Sequence, residues 1–146
     1  MGTDIYIFLE FLLPNGTWVA DEYHQKTDHD PGMGLPATCR NYDVFAALAG
    51  VRDEGPKPKG LPIDVSSHVR AIDESESANQ DHSHCSIDVL ESLDEVCCYK
   101  VDATHPLYDN PFKHNSPPYV SICAYARKML AKHGYKDARV IFWFDH

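Results

Sequence analysis

The chain has 146 residues, 43% of them hydrophobic and 11% aromatic, which is the make-up of one globular domain (1–146) with a sizeable core, not of a disordered chain. Its 13 Lys and Arg against 22 Asp and Glu leave a net charge of −9. That balance argues against a nucleic-acid partner and against an anionic membrane surface, both of which call for a dense basic patch. No apolar run approaches the ~18–20 residues that span a bilayer.

The opening Met1-Gly2-Thr3-Asp4-Ile5-Tyr6 lacks a positive stretch, so no cleaved signal peptide is expected and the expected location is cytoplasmic. Tyr6 also breaks the myristoylation pattern. The five cysteines, Cys39, Cys85, Cys97, Cys98 and Cys123, include no C-x-x-C pair. In a reducing compartment, free thiols are expected for all of them.

Asp4 to Leu12 is rich in aromatic and β-branched residues and reads as a strand. Ile5, Ile7, Leu9 and Phe11 share one wholly apolar face, expected to look into the core. Asp4, Tyr6, Phe8 and Glu10 share the other, which carries carboxylates at both ends and is expected to meet a cleft or water. Pro14-Asn15-Gly16 supplies turn chemistry, and Thr17 to Tyr23 returns as the hairpin partner. Asn15-Gly16-Thr17 is therefore read as a turn, not as a glycosylation site. Residues 26–39 have loop composition. Val44 to Ala49 reads as a short helix closed by Gly50.

From Asp53 to His82 the chain is full of Pro, Gly, Ser and charge and reads as one long irregular connection. Ser86 to Leu93 reads as a second short helix, and Val96 to Val101 as a strand. Thr104 to Pro118 is irregular again and ends in a helix start, with Ser116 as N-cap and Pro117 in the first turn. Tyr119, Ile122, Cys123, Ala126, Met129, Leu130 and His133 trace the stripe of a long helix that Gly134 closes. Ala138 to Asp145 is nearly continuous in apolar residues and belongs at the centre of a sheet, beside the first hairpin. The expected fold is α+β: a small, mostly antiparallel sheet covered by one long helix, with two short helices and long irregular loops.

Four segments together resemble a known family. They are Gly2-Thr3-Asp4-Ile5 with Glu10; Arg40-Asn41-Tyr42-Asp43-Val44-Phe45-Ala46-Ala47-Leu48-Ala49-Gly50-Val51-Arg52; Gly60-Leu61-Pro62 with Asp64-Val65-Ser66 and His82-Ser83-His84; and Val140-Ile141-Phe142-Trp143-Phe144-Asp145. In this order they are similar to a family of small bacteriophage and bacterial proteins. Tyr6 stands where that pattern has a His, and Cys85-Ser86 where it has Ser-Trp. The resemblance implies a phage-type origin and the domain's extent, and no particular activity.

Asp81-His82-Ser83-His84-Cys85 is the densest group of metal-ligating side chains. In an extended segment His82 and His84 point the same way, so both can reach one ion such as zinc, with Asp4, Glu10, His105 or His114 completing the set. The alternative is a polar loop that leads into the Ser86 helix. His84-Cys85-Ser86-Ile87 also has the H-x-S-apolar form of the 2H phosphoesterases, where two histidines serve as acid and base across a phosphate, and His114-Asn115-Ser116 is the second candidate. Arg40, Asn41 and Tyr42 at the start of the first helix form an anion-binding combination. The alternative is that Tyr42 and Phe45 pack while Arg40 pairs with a carboxylate. No G-x-S-x-G elbow, P-loop or G-x-G-x-x-G occurs.

The functional expectation is an accessory protein that binds a small anionic ligand, with a nucleotide as the example and phosphoester hydrolysis as a dependent activity. His82 and His84 are its candidate catalytic residues, and Arg40, Asn41 and Tyr42 its ligand contacts. The competing expectation is an acidic interaction protein that inhibits a host defence protein through its negative surface. One pocket shared by His82, His84, Arg40 and Tyr42 would separate the first from the second.

Overall fold

A computed structural model describes residues 4–25, 42–50, 56–75, 80–93 and 119–145. Strand β1 (Asp4–Leu12) turns into β2 (Trp18–Ala20). The turn follows from its residues: Gly16 N–H donates to the Leu13 carbonyl, and the Asn15 side chain accepts from Thr17 N–H at 3.0 Å. Gly16 at φ 89 takes the left-handed position that ends a three-residue hairpin loop.

Helices α1 (Glu22–Gln25) and α2 (Tyr42–Ala49) follow, and Gly50 at φ 69 closes α2 as its sequence predicts. Then come α3 (Ser67–Ser75), β3 (Gln80–Ser86), α4 (Ile87–Ser92), α5 (Tyr119–His133) and β4 (Asp137–Asp145). The strands form one four-stranded sheet in the order β2-β1-β4-β3, and every pairing is antiparallel. β4 lies beside β1 over the full length of both, with Ile7 opposite Phe142 and Glu10 opposite Arg139. The two most apolar segments therefore pair at the centre, as expected of a strand that must be covered on both faces.

Both faces are indeed covered. Ile5, Ile7, Leu9 and Phe11 of β1, with Val140, Phe142 and Phe144 of β4, pack against Phe45 and Leu48 of α2, Ile87 and Leu90 of α4, and Ile122, Cys123 and Ala126 of α5. α5 is the longest described helix, but it shares this face with α2 and α4. The Ser86 hydroxyl caps α4 by accepting from Val89 N–H at 3.2 Å, and Val89 itself stays half exposed.

The opposite face corrects two expectations. Phe8 of β1 and Ile141 and Trp143 of β4 do not meet a cleft or water; they form a second core with Val65, Val69 and Ile72, brought by α3 and the residue before its cap. The stretch from Asp53 to His82 is thus not one irregular connection. Val65, Val69 and Ile72 recur at helical spacing, a short apolar stripe diluted by Ser, His, Arg and Asp between them. Ser66 caps α3, its hydroxyl accepting from Val69 N–H at 3.3 Å. The cap at Ser116 and Pro117, the strand at Val96 to Val101, and Cys39, Cys97 and Cys98 lie outside the described residues. Cys85 and Cys123 are free and buried.

Candidate functional site

The five residues Asp81 to Cys85 lie in β3, not in a polar loop. From Ser83 on, the register with β4 is regular, His84 opposite Ile141 and Cys85 opposite Val140. It shifts between Gln80 and Ser83, where Asp81 holds a φ of 55, the mark of a bulge that re-aims its neighbour. His82 and His84 share the face of Ile141 and Trp143, as alternation requires. Cys85 points to the other face, into the core under the helices, and burial pushes its thiol up to about 12. It is therefore no partner to the histidines as a thiolate ligand.

His82 is fixed on two sides. Its Nε2 lies 2.6 Å from Asp73 Oδ1 of α3, and its ring rests on Trp143 with centroids 5.4 Å apart. An imidazole held by a carboxylate has its orientation set, which is what an acid or base in catalysis needs. His84 is half-buried, and burial holds it below its ordinary value of 6.5. Lys59 and then Arg139 add to that shift, while Asp64 and Glu10 oppose it. Lys59 belongs to a segment that runs along the outer edge of β3. Lys59 N–H donates to Ser83 Oγ at 3.1 Å, and Gly60 N–H to the His82 carbonyl at 2.7 Å. That segment occupies an edge that would otherwise be open.

A depressed histidine has a thermodynamic consequence. The folded state binds fewer protons than the unfolded chain just below pH 6.5, so His84 contributes stability above that value and loses it as the pH falls. Urea unfolding at about pH 7.5 and about pH 5.5 should show His84→Gln losing less stability on acidification than the parent. Equal losses in the two proteins would show that His84 is not the group responsible.

The neighbouring charge cluster was not evident from sequence patterns. Glu10 is fully buried, with Oε1 accepting from Arg139 Nε at 2.8 Å and Oε2 from Ser66 N–H at 2.8 Å. Arg139 also donates to Asp64 Oδ1 at 3.0 Å and to the Asp64 carbonyl at 3.3 Å. Its guanidinium sits 3.8 Å from the centre of the Trp18 ring. The hydrogen bond from Arg139 holds the Asp64 carboxyl below the usual range. Glu10 thus supplies an anion at the N-terminal end of α3 from within the chain. Both its oxygens are engaged, so it is a clamp and not the metal ligand that the sequence offered. One signal pointed here: Arg139 is the lone charge in the interior of an otherwise apolar strand.

Among the described residues, no group of three or more His, Cys, Asp and Glu stands together to hold a metal ion. His105 and His114 lie outside the described residues, and so do Arg40, Asn41 and the side chain of Tyr42. The expected juxtaposition of Arg40 and Tyr42 with the histidines falls outside them too. Ser86, the serine of the H-x-S reading, spends its hydroxyl on capping α4. Asp73 and Lys59 are site residues that sequence reasoning missed, because α3 and the edge segment were read as irregular loop; Trp143 was read only as part of an apolar strand, with no link to His82.

No family model, no curated protein and no solved structure matches the chain. No described helix is long and apolar enough to cross a membrane.

Proposed function

We propose that the protein is a phage-type accessory protein that binds a small anionic ligand, nucleotide-like in its phosphate, at the His82–His84 face of β3. The observation that carries this reading is the pair of imidazoles on one sheet face, His82 oriented by Asp73 at 2.6 Å and His84 held neutral beside Lys59. Two residues of extended chain separate their backbones by about 6–7 Å at ~3.3 Å per residue, a span that a phosphate group can bridge. Lys59 supplies positive charge locally in a chain whose net charge is −9.

The same arrangement suits phosphoester hydrolysis as the dependent activity. His84, being neutral, would accept the proton of an attacking water or hydroxyl as its oxygen bonds to phosphorus. His82 would give a proton to the leaving oxygen as the ester bond breaks. The phage-type origin rests on the sequence resemblance, and Arg40, Asn41 and Tyr42 remain the further ligand contacts of this reading.

Imidazole NMR resonances followed through titrations with inorganic phosphate and then a nucleoside monophosphate provide the test. The His82 and His84 signals should shift saturably, and Lys59→Gln should weaken binding about 3–10-fold, the worth of one partly exposed charge contact. Signals that stay fixed up to about 10 mM ligand, a concentration at which even weak sites fill, would reject the ligand reading. The host-protein inhibitor would then be the better account of the acidic surface.

A further inference from the structure

A cleft opens on the α5 side of the sheet, on the face opposite the histidine pair, with a volume of roughly 550 Å³. Its floor is Phe11, with Tyr135 stacked on it at 4.8 Å between ring centroids. Tyr125 and Met129 of α5 form one wall, and Val19 and Ala20 of β2 the other. The base is apolar, and the rim is rich in charged and hydroxyl-bearing side chains.

The rim charges are sorted by sign. Asp21 and Glu22 lie at one end, where the Tyr125 hydroxyl donates to Asp21 Oδ1 at 2.9 Å. Asp21 is buried, its other oxygen accepting from Tyr23 N–H at 3.0 Å. Burial raises the Tyr125 hydroxyl above its ordinary value, and the negative charges of Asp21 and Glu22 raise it further. Lys132 and His133 lie at the other end, on the last turn of α5, and the His133 ring lies 5.2 Å from that of Tyr135.

The register fixes the separation of the two ends. Asp21 N–H donates to the Leu9 carbonyl, whereas Lys136 N–H, just after α5, donates to the Leu12 carbonyl. Along α5, Tyr125 and Lys132 are two helical turns apart on one face, about 10 Å at ~1.5 Å per residue. An acidic end and a basic end at that distance, with an apolar floor between them, match a ligand carrying a positive and a negative terminus about 10 Å apart. At ~3.3 Å per extended residue, that is the length of a peptide of about three residues.

We propose that this cleft binds a short zwitterionic peptide, its amino terminus toward the exposed Glu22, its carboxylate toward Lys132 and His133, and an apolar side chain over Tyr135 and Met129. The ammonium meets carboxylate charge and the Tyr125 ring together, a combination that favours cations. The peptide's carboxylate meets two side chains that carry or can carry positive charge.

The peptide Ala-Phe-Ala, its N-acetylated form and its C-amidated form test this by amide chemical-shift titration. Free Ala-Phe-Ala should shift the amides of β2 and the second half of α5. Acetylation and amidation should each weaken binding about fivefold or more, the scale of one lost charge contact. Glu22→Gln should lose its sensitivity to acetylation but keep that to amidation, and Lys132→Gln the reverse. Both residues are exposed, so both variants should keep the parent's unfolding curve. Three results would overturn the proposal: no binding at about 5 mM peptide, equal binding by the free and doubly blocked peptides, or sensitivity to only one terminus.

Discussion

Replacing Arg139 by methionine is expected to cost about 3–5 kcal/mol of folding stability, the scale for leaving a buried charge without its partner. The reason lies in what remains behind. Glu10 is fully buried, and without the Arg139 Nε its carboxylate keeps only the Ser66 N–H. The same change releases Asp64 and takes the guanidinium off the Trp18 ring. Methionine preserves much of the apolar stem, so lost packing accounts for little of the effect. The double variant Glu10→Leu/Arg139→Met should recover a large part of the loss, because it removes both charges instead of stranding one. Urea unfolding of the parent, both single variants and the double variant completes the cycle. A single-variant loss of less than about 1 kcal/mol would place this ion pair among the weak surface type and remove the clamp from the account of α3.

That clamp also shows where sequence reading runs out in this chain. The central strands were legible because period and composition agree: Ile5, Ile7, Leu9 and Phe11 alternate, and Val140 to Phe144 are apolar without a break. The hairpin at Asn15-Gly16, the stop at Gly50 and the end of α5 at Gly134 were legible because each turn needs the residue found there. α3 was not, because its stripe is only three residues wide and its flanks carry loop composition. Missing α3 had two further effects. The face of Tyr6, Phe8 and Glu10 looked unpaired, so Glu10 appeared available to a ligand. Asp73 had no assigned place either, and its bond to His82 could not be anticipated. The H-x-H spacing did place both histidines on one face, since β3 is extended. The Asp21–Tyr125 contact joins residues 104 positions apart and has no local signature at all.

The variant Trp143→Ala is expected to be nearly as damaging as loss of the clamp, about 3–5 kcal/mol, as for other large aromatic truncations in a core. Trp143 is fully buried, packs on Phe8 with ring centroids 4.7 Å apart, and carries the His82 ring on its surface. Its indole N–H is buried and has no acceptor among the described residues. A buried donor left in that condition costs roughly 1–3 kcal/mol, so removing it should offset part of the packing lost on going to a smaller ring. Trp143→Phe is therefore expected to lose only about 1–2 kcal/mol by the same balance of packing against an unmet hydrogen bond. Urea midpoints compare the two variants, and the His82 imidazole resonance shows whether the ring keeps its place. In Trp143→Phe that resonance should stay close to its parent position, since Asp73 and a smaller aromatic ring still hold it. Should Trp143→Phe prove as costly as Trp143→Ala, the indole N–H must be bonded in solution. If instead Trp143→Ala costs less than about 1 kcal/mol, below the range for any large core truncation, the second core is too loosely packed to position His82.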